Sequence, residues 1–304
     1  MSDLKYLVIH RKDKNNVGDM AANPLQYFLK KGEYKSVDIA DWPLEERISP
    51  DVKIIVGGGG LLSNDNFDNF LSIIGGGDRA HLLDFRKKSW VLNDARNIDT
   101  HKNFTERFSA LLNETLETLN SDESKKIVWG AGHNADPMKK GHRVEYPNYL
   151  DNFNLIGIRD FGQNYSWAPC ASCMHPALRK TYEIKNEIIW FDHKKQLTKD
   201  FGDMPMPRFI NSGNNIEQTI EILGSANIIV TNSFHGVYWG TLLGKRVILT
   251  DVWSTKFQTF KHKPYVLLKN EKISDAIDKT TIHAHALDEC INATEEFWKQ
   301  VQQL

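Results

Sequence analysis

The chain reads as an α/β protein of two Rossmann-like lobes facing each other across a cleft, on three observations. Short apolar runs alternate with amphipathic ones, the grammar of strands and helices wound into a mostly parallel sheet. The same grammar appears in the first half and again in the second. Finally, 304 residues, 40% of them hydrophobic, suit two cores of ordinary size better than one large core. The expected lobes are residues 1–165 and 166–304, divided within Gly162–Glu183, where two prolines, two cysteines and weak periodicity mark a connection.

The elements follow in order. Leu4–His10 is apolar and predicts a strand, Met20–Lys31 a helix, and Val52–Val56 a strand that runs into four glycines. Phe104, Phe108, Leu111, Leu112, Leu116 and Leu119 recur at helical spacing and predict a helix over Phe104–Leu119. Lys126–Gly130 and Leu155–Ile158 read as further buried strands. In the second half, Glu187–Phe191, Arg208–Asn211, Asn227–Val230 and Arg246–Leu249 predict strands, with helices at Ile216–Leu223 and Val237–Leu243, the latter closed by Gly244. Ala286–Gln302 predicts a closing amphipathic helix, which in two-lobed architectures can cross back onto the first lobe. Gly75–Gly77, with Asp78–His81 behind it, is a surface turn or a mobile loop.

Composition excludes several classes. Lys and Arg total 38 against 39 Asp and Glu, so no long-range basic field marks a general nucleic-acid binder, and no nucleic-acid partner is expected. The amino terminus runs directly into a strand pattern without a secretion signal, and no apolar run approaches the ~20 residues of a spanning helix. A cytoplasmic protein is expected, with any membrane role peripheral, at the inner face. Cys170, Cys173 and Cys290 are too few for a disulfide framework. Cys170-Ala-Ser-Cys173 lies between Pro169 and Pro176 and reads as an irregular connection rather than a metal or redox motif; no metal and no cofactor are expected.

Chemistry concentrates in the loops that follow predicted strands, which parallel winding brings to one sheet edge. In Asn15–Asp19, Gly18 allows close approach of the backbone to a ligand, and Asp19 either caps a helix or accepts protons from sugar hydroxyls. Gly57–Gly60 exposes backbone N–H groups to a phosphate or a sugar, yet matches neither a Walker loop nor a dinucleotide fingerprint. In Gly130–Asn134, His133 is a proton donor or an acceptor-binding group. Arg159 ends a strand, where it either grips a carboxylate or phosphate or pairs with Asp160. Thr231-Asn-Ser-Phe-His-Gly236 places His235 at a strand-to-helix turn, either in catalysis or as a cap.

Together these loops resemble the polysaccharide pyruvyl transferase family. The matching elements are Asn16-Val-Gly-Asp19, Gly57–Gly60 with Leu61-Leu62, Gly130-Ala-Gly-His-Asn134, Gly157-Ile-Arg-Asp160 and Thr231–Gly236, in order over about three quarters of the chain. The resemblance implies a GT-B-like pair of lobes. It also implies transfer of the enolpyruvyl unit of phosphoenolpyruvate to a sugar diol, free or lipid-linked, with release of phosphate. His235 becomes the cleft histidine and Asp19 the first-lobe carboxylate. Arg159, Asn232, Ser233, Gly236, Lys245 and Arg246 are expected at the donor; Asn16, Gly18, Gly58, Gly59, Gly60, His133 and Asn134 are expected at the acceptor. Ser233 departs from relatives that carry arginine there, so a donor-binding cation is missing or comes from elsewhere. The alternative on the same scaffold is a glycosyltransferase using a nucleotide-activated sugar.

Overall fold

A computed structural model describes residues 4–39, 48–62, 124–136, 143–146, 148–194 and 204–304. The expected helix Phe104–Leu119 and the Gly75–Gly77 turn lie outside the described residues. The first sheet contains β1 (Tyr6–His10), β2 (Tyr34–Asp38), β3 (Lys53–Gly57), β4 (Lys126–Ala131), β5 (Leu155–Ile158) and β6 (Ser166–Trp167) in the order β2-β1-β3-β4-β5-β6. The second contains β7 (Asn186–His193), β8 (Arg208–Asn211), β9 (Ala226–Thr231), β10 (Arg246–Leu249) and β11 (Tyr265–Val266) in the order β11-β10-β9-β7-β8. Every pairing is parallel. Renumbered from its own first strand, the second sheet runs 2-1-3-4-5, the order of the first five strands of the first sheet. The protein is thus an α/β chain of two Rossmann-like lobes.

Burial on both faces explains the apolar runs. Leu7 and Ile9 point to one side of the first sheet, and Val8 to the other, as the two-residue strand period requires. In the second lobe, Ile189 and Ile229 face one layer while Ile188, Ile228 and Val230 face the opposite one.

Among the described residues the α-helices are α1 (Val17–Ala21), α2 (Ile216–Gly224), α3 (Phe234–Leu242), α4 (Ile273–Ile277) and α5 (Ala286–Gln303). Helix α4 has no counterpart in the sequence reading, and two others differ from it. The expected Met20–Lys31 helix is instead the short α1, which starts earlier, followed by a 3₁₀ turn at Leu25–Tyr27. Pro24 lacks an amide hydrogen and disfavours a helical conformation at Asn23, so one continuous helix cannot pass. Helix α3 starts at Phe234 rather than Val237, because Thr231 Oγ1 accepts the Ser233 N–H at 3.0 Å and reverses the chain within two residues. Strand β2 was not anticipated; its buried side chains are confined to Val37 and Asp38, too few to stand out as an apolar run.

Helix α5 ends against the first lobe. Its Phe297 and Val301 pack with Val8, Leu25, Ile55, Ile127 and Trp129, and Trp298 stacks on Trp129 at 5.7 Å. Gly157 leaves room for Phe297, whose ring would lie 2.3 Å from any Cβ there. Phe297→Ala should therefore cost about 3–5 kcal/mol, measured by urea unfolding, whereas exposed Glu295→Ala should stay within about 0.5 kcal/mol.

Candidate functional site

Parallel winding places the loops after each strand at the carboxyl edge, and a ligand crevice opens where strand order reverses. Those reversals lie between β1 and β3 in one lobe and between β7 and β9 in the other. The two carboxyl edges face each other across a cleft of about 300 Å³. Asp13, Asn16 and Asp19 reach it after β1, Gly59 and Gly60 after β3, Asn134 after β4 and Arg159 after β5. From the second lobe come His193, Asn211, Ser233, His235 and Lys256.

Arg159 and His235 sit side by side in the cleft wall, 7% and 6% exposed. The Arg159 guanidinium lies 4.0 Å above the Phe234 ring, a cation–π contact, and Gly132 leaves it space. Its Nε and Nη2 have no hydrogen-bond partner among the described residues. Asp160 does not pair with it. That carboxylate instead accepts the His133 N–H at 2.5 Å, the Tyr146 hydroxyl at 2.5 Å and the Thr259 hydroxyl at 2.6 Å, the last from the other lobe.

His235 is the second residue of α3, packed on Trp239 with ring centroids 4.7 Å apart. Its Nε2 lies 3.7 Å from Cys170 Sγ. A Cβ on Gly18 would fall 1.9 Å from His235 Nδ1, so the loop after β1 lies directly against this ring. Burial, reinforced by the Arg159 and Lys256 charges, holds the imidazole well below its ordinary pKa, leaving it neutral near pH 7.

Asp19 faces it from the first lobe. Asn16, the N-cap of α1, accepts from the Gly18 N–H at 3.2 Å and donates to Asp19 Oδ2 at 2.9 Å. Burial, then the charge of Asp13, pushes the Asp19 carboxyl up to about 6, against the pull of Arg11, Lys256 and Lys194. Gly59, at φ +79°, takes a left-handed backbone that other residues rarely adopt, and it borders the open space next to Asp19.

Several expected contacts fall elsewhere. Lys245 precedes β10 and Arg246 is its first residue, so they lie at the amino edge of the second sheet; Lys245 Nζ donates to the Gly224 carbonyl at 2.7 Å. A loop before a parallel strand cannot reach the edge where the cleft lies. His133 is 2% exposed and bonds Thr255 Oγ1 through Nδ1 at 2.6 Å, joining the lobes rather than facing an acceptor. Asn232 is also buried, accepting the His193 N–H at 2.7 Å and, through its carbonyl, the Trp253 indole N–H at 3.0 Å. Gly236 and Gly58 are spacers: a Cβ would strike Thr231 Oγ1 at 2.3 Å or the Ala22 carbonyl at 2.2 Å. The expected cleft residues that do meet are Asn16, Asp19, Gly59, Gly60, Asn134, Arg159, Ser233 and His235, with Gly18 against the His235 ring.

Several cleft residues, Arg11, Asp13, His193, Lys194, Asn211 and Lys256 among them, are not expected from the sequence, and two of these bear most on the chemistry. Asn211 ends β8, donating to Ser233 Oγ at 3.0 Å, while its own Oδ1 is buried without a partner among the described residues. Lys256 follows β10, with Nζ 3.9 Å above the Trp253 ring. Burial and the Arg159 charge lower its pKa to about 7, and Asp19 opposes them. Their position after strands of the second sheet was the available signal. Cys170, Cys173 and Cys290 are free thiols, and no three His, Cys, Asp or Glu side chains among the described residues are grouped to hold a metal ion. Nor is any described helix long and apolar enough to cross a membrane.

Fold and site define a two-lobed α/β protein with a cation-lined interlobe cleft. No family model matches the chain, and no curated protein does. A solved structure of an uncharacterized protein from Klebsiella pneumoniae is similar at 14% identity, covering 82% of this chain and 83% of that one, with a TM-score of 0.39.

Asp19 gives the cleft a pH signature. The folded chain holds its proton more tightly than the unfolded one, so this group's contribution to stability is fully present below about pH 4 and is lost as pH rises through about 6. Asp19→Asn should remove that loss. Relative to the wild type it should gain on the order of 1 kcal/mol between about pH 4 and pH 8 in denaturant titrations, allowing for solvent screening.

Proposed function

We propose that the protein is a polysaccharide pyruvyl transferase. It would move the enolpyruvyl unit of phosphoenolpyruvate onto a sugar diol of a cell-surface polysaccharide or its precursor, forming a pyruvate ketal. The observation that carries this reading is the unpaired Nε/Nη2 edge of Arg159, buried in the cleft wall. A buried donor pair without an acceptor costs free energy until a ligand supplies one, and a planar carboxylate offers two oxygens at matching spacing. The cleft's aromatic faces point away from a nucleotide donor. Arg159 covers one face of Phe234, on which Phe260 also stacks, and Lys256 covers one face of Trp253, which limits the ring surface left for a nucleobase.

The chemistry divides between the lobes. Asp19, which a bound anion would keep protonated to higher pH, gives its proton to the methylene carbon, and positive charge develops on the adjacent carbon. A sugar hydroxyl adds to that carbon and passes its proton to the neutral His235 imidazole. The carbon–oxygen bond to phosphate then breaks with its electron pair going to phosphate, and the second hydroxyl closes the ketal as its proton leaves with the phosphate. Arg159 holds the carboxylate beside the charged carbon throughout. Asn16, Gly59, Gly60 and Asn134 lie on the side open to the acceptor.

Thermal-shift measurements separate the donors. Phosphoenolpyruvate at about a hundredfold excess over its Kd should raise stability by about 2.7 kcal/mol, several degrees in Tm, and Arg159→Gln should abolish the shift. A clear shift with a nucleotide sugar and none with phosphoenolpyruvate would sink the proposal in favour of glycosyl transfer. His235→Ala should lower kcat by about 10²–10⁴-fold with folding intact, and near-normal turnover would remove it from the chemistry.

A further inference from the structure

Resting on the reading above, we propose that Lys256 binds the phosphoryl group of the donor while Arg159 takes its carboxylate, so that the cleft recognises a small anion with two charged ends through two cations of different shape. Of the cations lining the cleft, Arg11 pairs with Asp38, and Lys194 with Asp13 at 2.5 Å. Arg159 and Lys256 have no carboxylate at ion-pairing distance among the described residues, so these two remain for a ligand. The neighbouring Ser233 is uncharged, and Lys245 and Arg246 lie at the far edge of the sheet.

Lys256 is held ready for the task. It lies on the 3₁₀ turn Thr255–Phe257, which is fastened to the first lobe. The Thr255 N–H donates to the Ala135 carbonyl at 3.0 Å, Thr255 Oγ1 accepts from the Ala135 N–H at 3.0 Å, and Ser254 Oγ donates to Asn134 Oδ1 at 2.8 Å. The ammonium rests on the Trp253 face, 3.9 Å from its centroid and 5.3 Å from that of Phe257. This contact restrains the long side chain without neutralising it. The charges of Arg159 and Lys256 oppose each other, and an anion with two charged ends relieves both.

Shape assigns the ends. The unpaired guanidinium edge is planar and suits a carboxylate, whereas an ammonium is a compact charge with three donors and suits the tetrahedral phosphoryl group. As the bond between the central carbon and the phosphate oxygen breaks, the electron pair moves onto that oxygen, where the Lys256 charge offsets it. Lys256 is then a catalytic contact with the leaving group.

Binding of inorganic phosphate, pyruvate and phosphoenolpyruvate to the full chain, measured calorimetrically and by thermal shift, tests the assignment. Lys256→Gln should weaken phosphate by at least about tenfold while leaving pyruvate within about twofold; Arg159→Gln should do the reverse, and Lys256→Arg should restore part of the phosphate affinity. Far-UV circular dichroism checks that each variant is folded. Phosphate affinity in Lys256→Gln within about twofold of the wild type, no phosphate binding by the wild type at tens of millimolar, or equal losses of both probes in both variants overturns the assignment. If the wild type binds phosphate through Lys256 but does not bind phosphoenolpyruvate, the phosphoryl site stands and the pyruvyl transfer reading falls.

Discussion

The buried carboxylate of Asp160 fixes the relation between the lobes on which the cleft depends. It takes hydrogens from the His133 backbone, the Tyr146 hydroxyl and the Thr259 hydroxyl, so a single group joins the loop after β4, a neighbouring first-lobe segment and the second lobe. In a low-dielectric interior such a carboxylate is tolerable only if its acceptor sites are filled, which makes the arrangement cooperative. Loss of any one donor weakens the case for keeping the charge buried. The tie has a second effect. With Asp160 fully engaged by these donors, its neighbour Arg159 is left without the acid that sequence proximity offers it.

The cleft therefore combines two opposite treatments of charge. On one side, Asp160, His133 and Thr255 form a satisfied network that holds position. On the other, Arg159, Lys256 and Asp19 line the cleft and the Oδ1 of Asn211 is buried in its wall, either incompletely paired or displaced from their ordinary protonation. Groups of the second kind are costly for stability, and they cluster where chemistry needs them. The first network makes the second affordable, because a shifting frame would let those groups find each other.

Much of this was legible in the sequence. Apolar runs at 126–130, 155–158, 187–191 and 227–230 became strands with small adjustments, since parallel strands buried on both faces leave an unmistakable signature. The loops after β1, β5 and β9 held Asp19, Arg159 and His235, and winding brought all three together. What escaped had a weaker local signal. Strand β2 carries Tyr34, Lys35 and Ser36 on partly exposed positions and shows no apolar run. Lys256 sits in a polar and aromatic stretch that reads as ordinary loop, and only the strand order makes it a cleft residue. Lys245 and Arg246 misled for the complementary reason: two adjacent cations near a histidine in sequence lie at the opposite edge of the sheet once the intervening helix is laid down.

The return of α5 to the first lobe has a consequence for how the chain matures. The face of the first sheet formed by Val8, Ile55, Ile127 and Trp129 receives Phe297 and Val301 from the last helix, separated from it by the entire second lobe. During synthesis the amino-terminal lobe emerges long before its own lid exists. It must wait with an apolar face uncovered, a period in which chaperone capture or misassociation competes with completion. The amino half of the same helix, through Ala286, Cys290 and Ile291, also completes the core around α2 and α3, so both lobes are finished by the last element to emerge.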